Sequence, residues 1–344
     1  MRQPFIASFA ISLLTLPVLA QGLPTPQEAE RYRLPTTPTT AENIARSKKV
    51  ELGYELFFDA RLSGNESISC ASCHLPTKGW STNGRPKRAN DTVMPRASQT
   101  VLGMGHTSNE KRGWGANRES AVVLMKAVIS EAGPMNVKPP ELVAKLNDVP
   151  AYKALFHTVY GRDGDMDAVI DALDIFMKSI EYPKTRFDHW IAGNPLALTD
   201  AEVKGFRTFT GETANCTTCH GGPRFTQDAM HDIGLKVDAA KPDKGLGDVT
   251  KKAEDDFAFK TPTLRSAAQR APYGHDGQVA SLDALVEHYM KGGEARPTLS
   301  FEIQRFSLTA EEKSNLVAFL QSLDPATQEF LPPLKIAKVA AERP

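Results

Sequence analysis

The sequence predicts an all-α fold with long loops, arranged as two related halves. Three observations carry this reading. Strand-like alternation is scarce, whereas apolar residues recur at helical spacing in several segments. All 4 cysteines fall in two Cys-x-x-Cys-His pentapeptides, Cys70 to His74 and Cys216 to His220. Finally, the pentapeptides and two similar apolar segments, Ile175 to Ile180 and Ala318 to Leu323, each recur at roughly 145 residues, which marks an internal duplication.

The pentapeptide is the attachment signal of c-type haem: the thiols add to the porphyrin vinyl groups and the adjoining histidine becomes the proximal iron ligand. Residues i, i+3 and i+4 share a helix face, so Cys70, Cys73 and His74, and likewise Cys216, Cys219 and His220, can address one macrocycle. A disulfide framework or a four-cysteine zinc site leaves the histidine after each pair unexplained. Each half is therefore expected to be a cytochrome c-like domain carrying one covalent c-type haem.

The elements follow in order. Residues 1–20 read as a signal peptide, with Met1-Arg2, an apolar run from Phe5 to Leu19 and a small-residue cleavage site before Gln21; the alternative is an uncleaved anchor. Export fits haem c chemistry, so a periplasmic location is expected, with no membrane span after cleavage. Residues 21–40, rich in Pro and Thr, are expected to be a loose arm around the body. The first haem domain is placed at 41–194. It opens with a helix from Ala41 to Phe58 whose apolar residues include Val50, Leu52, Leu56 and Phe57. The break around Ala192 to Leu198 separates it from a second haem domain at 195–330, which opens with a helix from Thr199 ending near Gly211. A tail follows at 331–344. Lys+Arg and Asp+Glu are each 41, so the net charge is zero and no nucleic-acid partner is expected.

On these residues the chain resembles the bacterial dihaem cytochrome c peroxidases and the MauG-type enzymes. The similar stretches are Leu52 to Asp59 through His74, Phe225-Thr226 with His231 to Gly234, Phe259 to Arg265, and Ala271 to Gly277. The resemblance implies two haems with different tasks. The N-terminal haem meets hydrogen peroxide at an open face, and the C-terminal haem is six-coordinate and handles electrons. The implied donor is a small cytochrome or a secreted protein substrate, and a homodimer is among the implied states. The other reading is a dihaem electron-transfer cytochrome without peroxidase turnover.

The resemblance places the distal ligand of the second haem at Tyr289, where peroxidases that oxidise cytochromes carry methionine and the MauG type carries tyrosine. Independently, Leu282, Leu285, Val286 and Tyr289 form one helical stripe, with Met290 about 100° away and His288 also off it. Trp114 corresponds to the family's inter-haem tryptophan, and is otherwise a core or surface aromatic. The family's distal glutamate position holds Pro134, which cannot move a proton. Glu131 is the nearby substitute, or else a solvated glutamate at a helix end. His106 reads as a surface-loop residue rather than a haem cap. His231 and His275 read as organisers of hydrogen bonds around the second haem. Arg61 and Arg265 are either partners of haem propionates or solvated. The family's calcium position maps to the carbonyls of Arg270 and Pro272 with Ala97 in place of an asparagine; Ala97 offers no side-chain oxygen, so calcium is not claimed.

Overall fold

The computed structural model describes residues 22–35, 48–107 and 111–325. The expected signal peptide, the start of the expected first helix and the expected tail at 331–344 lie outside them. Helices dominate. They are α1 (Pro26–Tyr32), α2 (Lys48–Phe58), α3 (Cys70–Cys73), α4 (Ala121–Val128), α5 (Pro139–Asn147), α6 (Pro150–Tyr160), α7 (Met166–Lys178), α8 (Arg186–Ile191), α9 (Asp200–Thr210), α10 (Gly247–Thr250), α11 (Leu282–Lys291) and α12 (Ala310–Ser322). The sheet among the described residues is one antiparallel pair, β1 (Met230–His231) with β2 (Phe259–Lys260), registered His231 to Phe259.

Two hydrophobic cores form, each around a crossing of an opening and a closing helix. In the first, Leu52, Leu56 and Phe57 of α2 meet Ala172, Leu173 and Phe176 of α7. Gly53 sits at the crossing, where a Cβ would run into the carbonyl oxygen of Ala172 and the side chain of Phe176. In the second, Phe206 and Phe209 of α9 meet Leu316, Phe319 and Leu320 of α12. Gly205 occupies the corresponding crossing, against the carbonyl oxygen of Asn315 and the side chain of Phe319. The two halves thus solve the same packing problem with the same residue pair, Gly against Phe.

Local signals set the ends of these helices. Thr199 caps α9 and Thr309 caps α12, each in a capping box with a glutamate three residues on, Glu202 and Glu312. α9 stops at Gly211.

Two features differ from the expectations. The N-terminal arm is not loose over its described part. Thr25 and Glu28 form a capping box that starts α1, and Tyr32 is 1 % exposed in the second core. Its ring stacks on Phe225 at 5.3 Å, Glu28 pairs with Arg207, and Trp190 Nε1 donates to the Gly22 carbonyl. Also, Phe187, Trp190 and Ile191 of α8 pack in the second core, although they precede the expected boundary at 194. The first core ends at Tyr182.

The halves meet through specific polar contacts. Arg96 makes a bidentate pair with Asp243, at 2.7 and 2.6 Å. The Ala97 N–H donates to the His275 carbonyl at 2.7 Å, and the Lys260 N–H donates to the Trp114 carbonyl at 2.8 Å.

Candidate functional site

Both pentapeptides open onto one cavity of about 1980 Å³. That exceeds the roughly 300–1,000 Å³ of an ordinary small-molecule pocket. Its walls include Cys70, Cys73 and His74 on one side, and Cys216, Cys219 and His220 on the other.

The two pentapeptide turns are built alike. The first is the single turn of α3; the second is a 3-10 turn at Cys216–Thr218. In each, the histidine N–H donates to the carbonyl of the first cysteine at 2.9 Å, from His74 to Cys70 and from His220 to Cys216. All four cysteines are half-buried, and no disulfide joins them.

Each imidazole is aimed by a backbone carbonyl. His74 Nδ1 lies 3.3 Å from the Trp80 oxygen, and His220 Nδ1 lies 2.9 Å from the Phe225 oxygen. A carbonyl only accepts, so Nδ1 carries the proton and Nε2 keeps its lone pair for a metal. Both carbonyls come from aromatic residues in left-handed backbone, Trp80 at φ 57° and Phe225 at φ 51°, a conformation that costs energy outside glycine. Burial pushes the His220 imidazole down to about 4, the Phe225 hydrogen bond opposing and the neighbouring His231 adding to the fall. Burial also lowers His74, against the backbone of Trp80 and Gln99. Both rings are therefore neutral at pH 7, the state that ligates iron. The size of the cavity, the paired cysteines and the aimed imidazoles fit two haem groups.

Comparison with known proteins points to the same kind of prosthetic group. Residues 47–195 match the model of the di-haem cytochrome c peroxidase family. The methylamine utilization protein MauG of Methylorubrum extorquens is 38% identical over 299 residues, covering 85% of this chain and 83% of that protein. The chain belongs to the di-haem cytochrome c peroxidase family. The cytochrome-c peroxidase IdrP1 of a Pseudomonas species is 29% identical, over 94% of this chain and 93% of its own. A solved MauG-like protein associated with microbial copper homeostasis superposes with a TM-score of 0.77 at 27% identity, covering 88% of this chain and 95% of its own. The diheme peroxidase BthA of Burkholderia thailandensis shares the fold, with a TM-score of 0.70 at 18% identity. As a family member the chain is a haem oxidoreductase of the peroxidase kind.

Within this family frame the expected site residues are distributed unevenly. Leu282, Leu285, Val286 and Tyr289 all line the cavity, whereas His288 and Met290 do not. His288 Nε2 instead donates to the Ile233 carbonyl at 2.7 Å, and Met290 packs on the second core. Burial raises the Tyr289 phenol well above its ordinary pKa, with Cys219 and Cys216 adding to the rise. Trp114 lines the cavity at the junction of the halves, its Nε1–H donating to the Ala97 carbonyl at 2.8 Å.

Glu131 is not brought to the cavity. Its side chain is 66% exposed and lies 3.9 Å from the Lys138 ammonium, while Pro134 and Met135 do line the cavity. Among the described residues from Phe57 to Tyr182, the cavity wall holds Arg85, Arg88, Arg96, Arg112 and Arg118 but no carboxylate, and no histidine besides His74. His106 does not line the cavity and does not sit on the surface; its ring is buried against Glu181 and Tyr182.

Arg61 and Arg265 correct both expected readings. Arg61 is buried against Asp59, which also accepts from the Tyr152 hydroxyl at 2.9 Å. Arg265 is 1% exposed, in a bidentate pair with Asp188 at 2.9 and 2.8 Å. Each has satisfied its charge with a carboxylate, and neither lines the cavity. His231 and His275 do line it; His231 Nε2 and His275 Nδ1 are buried without a hydrogen-bond partner. The roles of Trp80 and Phe225 escape sequence reading because a carbonyl acts whatever the side chain. The signal was an aromatic residue five or six positions after each histidine.

Proposed function

We propose that the chain is a periplasmic dihaem oxidoreductase of the MauG type, with one haem c attached through Cys70 and Cys73 and a second through Cys216 and Cys219. His74 and His220 would serve as iron ligands, and Tyr289 would be a further ligand at the second site. A haem at each site would supply the redox chemistry, reaction with hydrogen peroxide at the first and electron storage at the second. The observation that carries this reading is the asymmetry of the cavity. Tyr289 ends an apolar stripe that lines the cavity near Cys216 and Cys219, whereas among the described residues from Phe57 to Tyr182 the lining holds no histidine besides His74.

The chain's own residues supply the surroundings. Trp80 and Phe225 hold the proximal rings, and Met125, Met135 and Met177 give the first lobe an apolar lining. Trp114 lies at the junction and is the proposed electron relay. A tyrosinate ligand is hard and anionic, so it favours ferric and higher oxidation states over the ferrous state. This suits oxidation of an electron-rich partner, a secreted protein or a small cytochrome. The shared Gly–Phe crossings support two domains related by duplication. Calcium is left out, because Ala97 offers no side-chain oxygen at the position where the family resemblance implies an asparagine.

Electron paramagnetic resonance of the ferric protein tests the reading: one high-spin and one low-spin haem are expected. The second reading is an electron-transfer dihaem cytochrome. It is favoured by one observation: among the described residues from Phe57 to Tyr182 no carboxylate lines the cavity, and Glu131 faces solvent. Two low-spin haems inert to peroxide decide for it.

A further inference from the structure

At the junction of the two halves, Asp228 is buried and accepts from three side chains. Arg224 Nη1 lies at 2.7 Å, Lys260 Nζ at 3.1 Å and the Thr107 hydroxyl at 3.0 Å. Two cations therefore share this one carboxylate, with side-chain exposures of 17% for Arg224 and 12% for Lys260. Buried charge is costly unless it is paired and fully hydrogen-bonded. Burial pulls the Lys260 ammonium below its ordinary range; Asp228 opposes this, and Arg112 and Arg224 add to the fall.

The arginine has capacity to spare. Arg224 Nε is buried and makes no hydrogen bond, and the same holds for Arg118 Nε. Arg118, Arg224, Asp228 and Lys260 all line the large cavity. Strand β2 fixes Lys260 beside Trp114 through the backbone bond already described. A guanidinium with a buried, unused N–H and an ammonium with part of one carboxylate together match a planar, two-oxygen anion arriving from the cavity.

We propose that Arg224 and Lys260 receive a propionate carboxylate of a bound haem, where the two lobes of the cavity meet. This rests on the two-haem reading above. The carboxylate would enter on a large, mainly apolar body, because the cavity is large and most of its lining surface is apolar; a porphyrin has that form. Arg61 and Arg265 cannot take this part, since Asp59 and Asp188 already occupy them. Held this way, the carboxylate sits next to Trp114, and its neutralisation by Lys260 favours the reduced iron of the haem that carries it.

The test uses the holoprotein, with haem number read by intact mass, the propionate bending band by resonance Raman, and midpoint potentials by spectroelectrochemistry. Lys260→Met is expected to move the propionate band of one haem and to lower that haem's reduction constant about tenfold, about 59 mV for a one-electron couple. Lys260→Arg is expected to keep the band near its original place. Asp228→Asn frees both cations for the incoming carboxylate, and should move the same band and raise the same constant. A band that stays put in both Lys260→Met and Asp228→Asn, with two haems present, overturns the proposal and leaves the cluster a purely structural one. Fewer than two haems in the unmutated protein overturns the two-haem reading instead. Should Lys260→Met fail to take up haem, Lys260→Arg and Asp228→Asn, which retain the cations, decide through that band.

Discussion

His220 donates from Nδ1 to the carbonyl of Phe225, and the residue that presents this carbonyl is also the centre of the second core. Phe225 is fully buried, stacked on Tyr32 and edge-on to Phe187, Phe209 and Phe319. The aim of a metal ligand and the packing of a domain thus depend on one side chain. A left-handed φ at a bulky residue persists only where its surroundings over-determine it, and these aromatic neighbours and a buried imidazole do so here.

Replacing Phe225 with Ala is therefore expected to cost about 3–5 kcal/mol of stability, the range for emptying a buried aromatic site. It should also broaden the low-spin signal of the second haem as His220 loses its fixed angle. Urea denaturation and electron paramagnetic resonance read the two effects. A stability loss without any spectral change would separate the packing role from the aiming role.

Tyr289→Met exchanges an anionic oxygen for a neutral thioether on an otherwise unchanged helix face. The expected outcome is a rise of at least about tenfold in the reduction constant of the second haem, about 59 mV for one electron. Redox titration measures it. Met290→Leu, on the face turned away from the cavity, should leave the potential unchanged.

Glu131→Gln should change the peroxide reaction less than about twofold, since exposed ion pairs such as that with Lys138 contribute little. Stopped-flow absorption with hydrogen peroxide checks this. A large loss of rate would show that the 129–135 turn swings inward during turnover.

Much of this was legible in the sequence, and the limits have physical reasons. The two pentapeptide turns were legible because residues i, i+3 and i+4 share one helix face. The stripe from Leu282 to Tyr289 was legible because helical period alone sorts Tyr289 from Met290. Arg61 and Arg265 were not, because a guanidinium follows its nearest carboxylate, and Asp59 and Asp188 are distinguished only by the fold. The docking of α1 was hidden as well. A helix this short carries too little periodicity to show that Tyr32 is a core residue of a domain beginning far along the chain.

The Asp59–Arg61 pair sets an acid limit on the first half. Burial acts to raise the Asp59 pKa, but the hydrogen bonds from Arg61 and Tyr152 outweigh it and hold the carboxyl below its ordinary value. A group depressed on folding contributes stability above its unfolded pKa, and this is lost as pH falls through the folded one. The contribution should thus be complete above about pH 4 and fade below it. Asp59→Asn leaves Arg61 buried without its counter-charge, so a loss of about 3–5 kcal/mol is expected at pH 7. Well below about pH 4 the variant and the original protein should converge, because the original has by then lost the same charge. Denaturation midpoints measured from about pH 2 to about pH 7, a range that spans the ordinary carboxylate pKa, decide it. A constant gap across the whole range would place the cost in the packing of the introduced amide rather than in the ion pair.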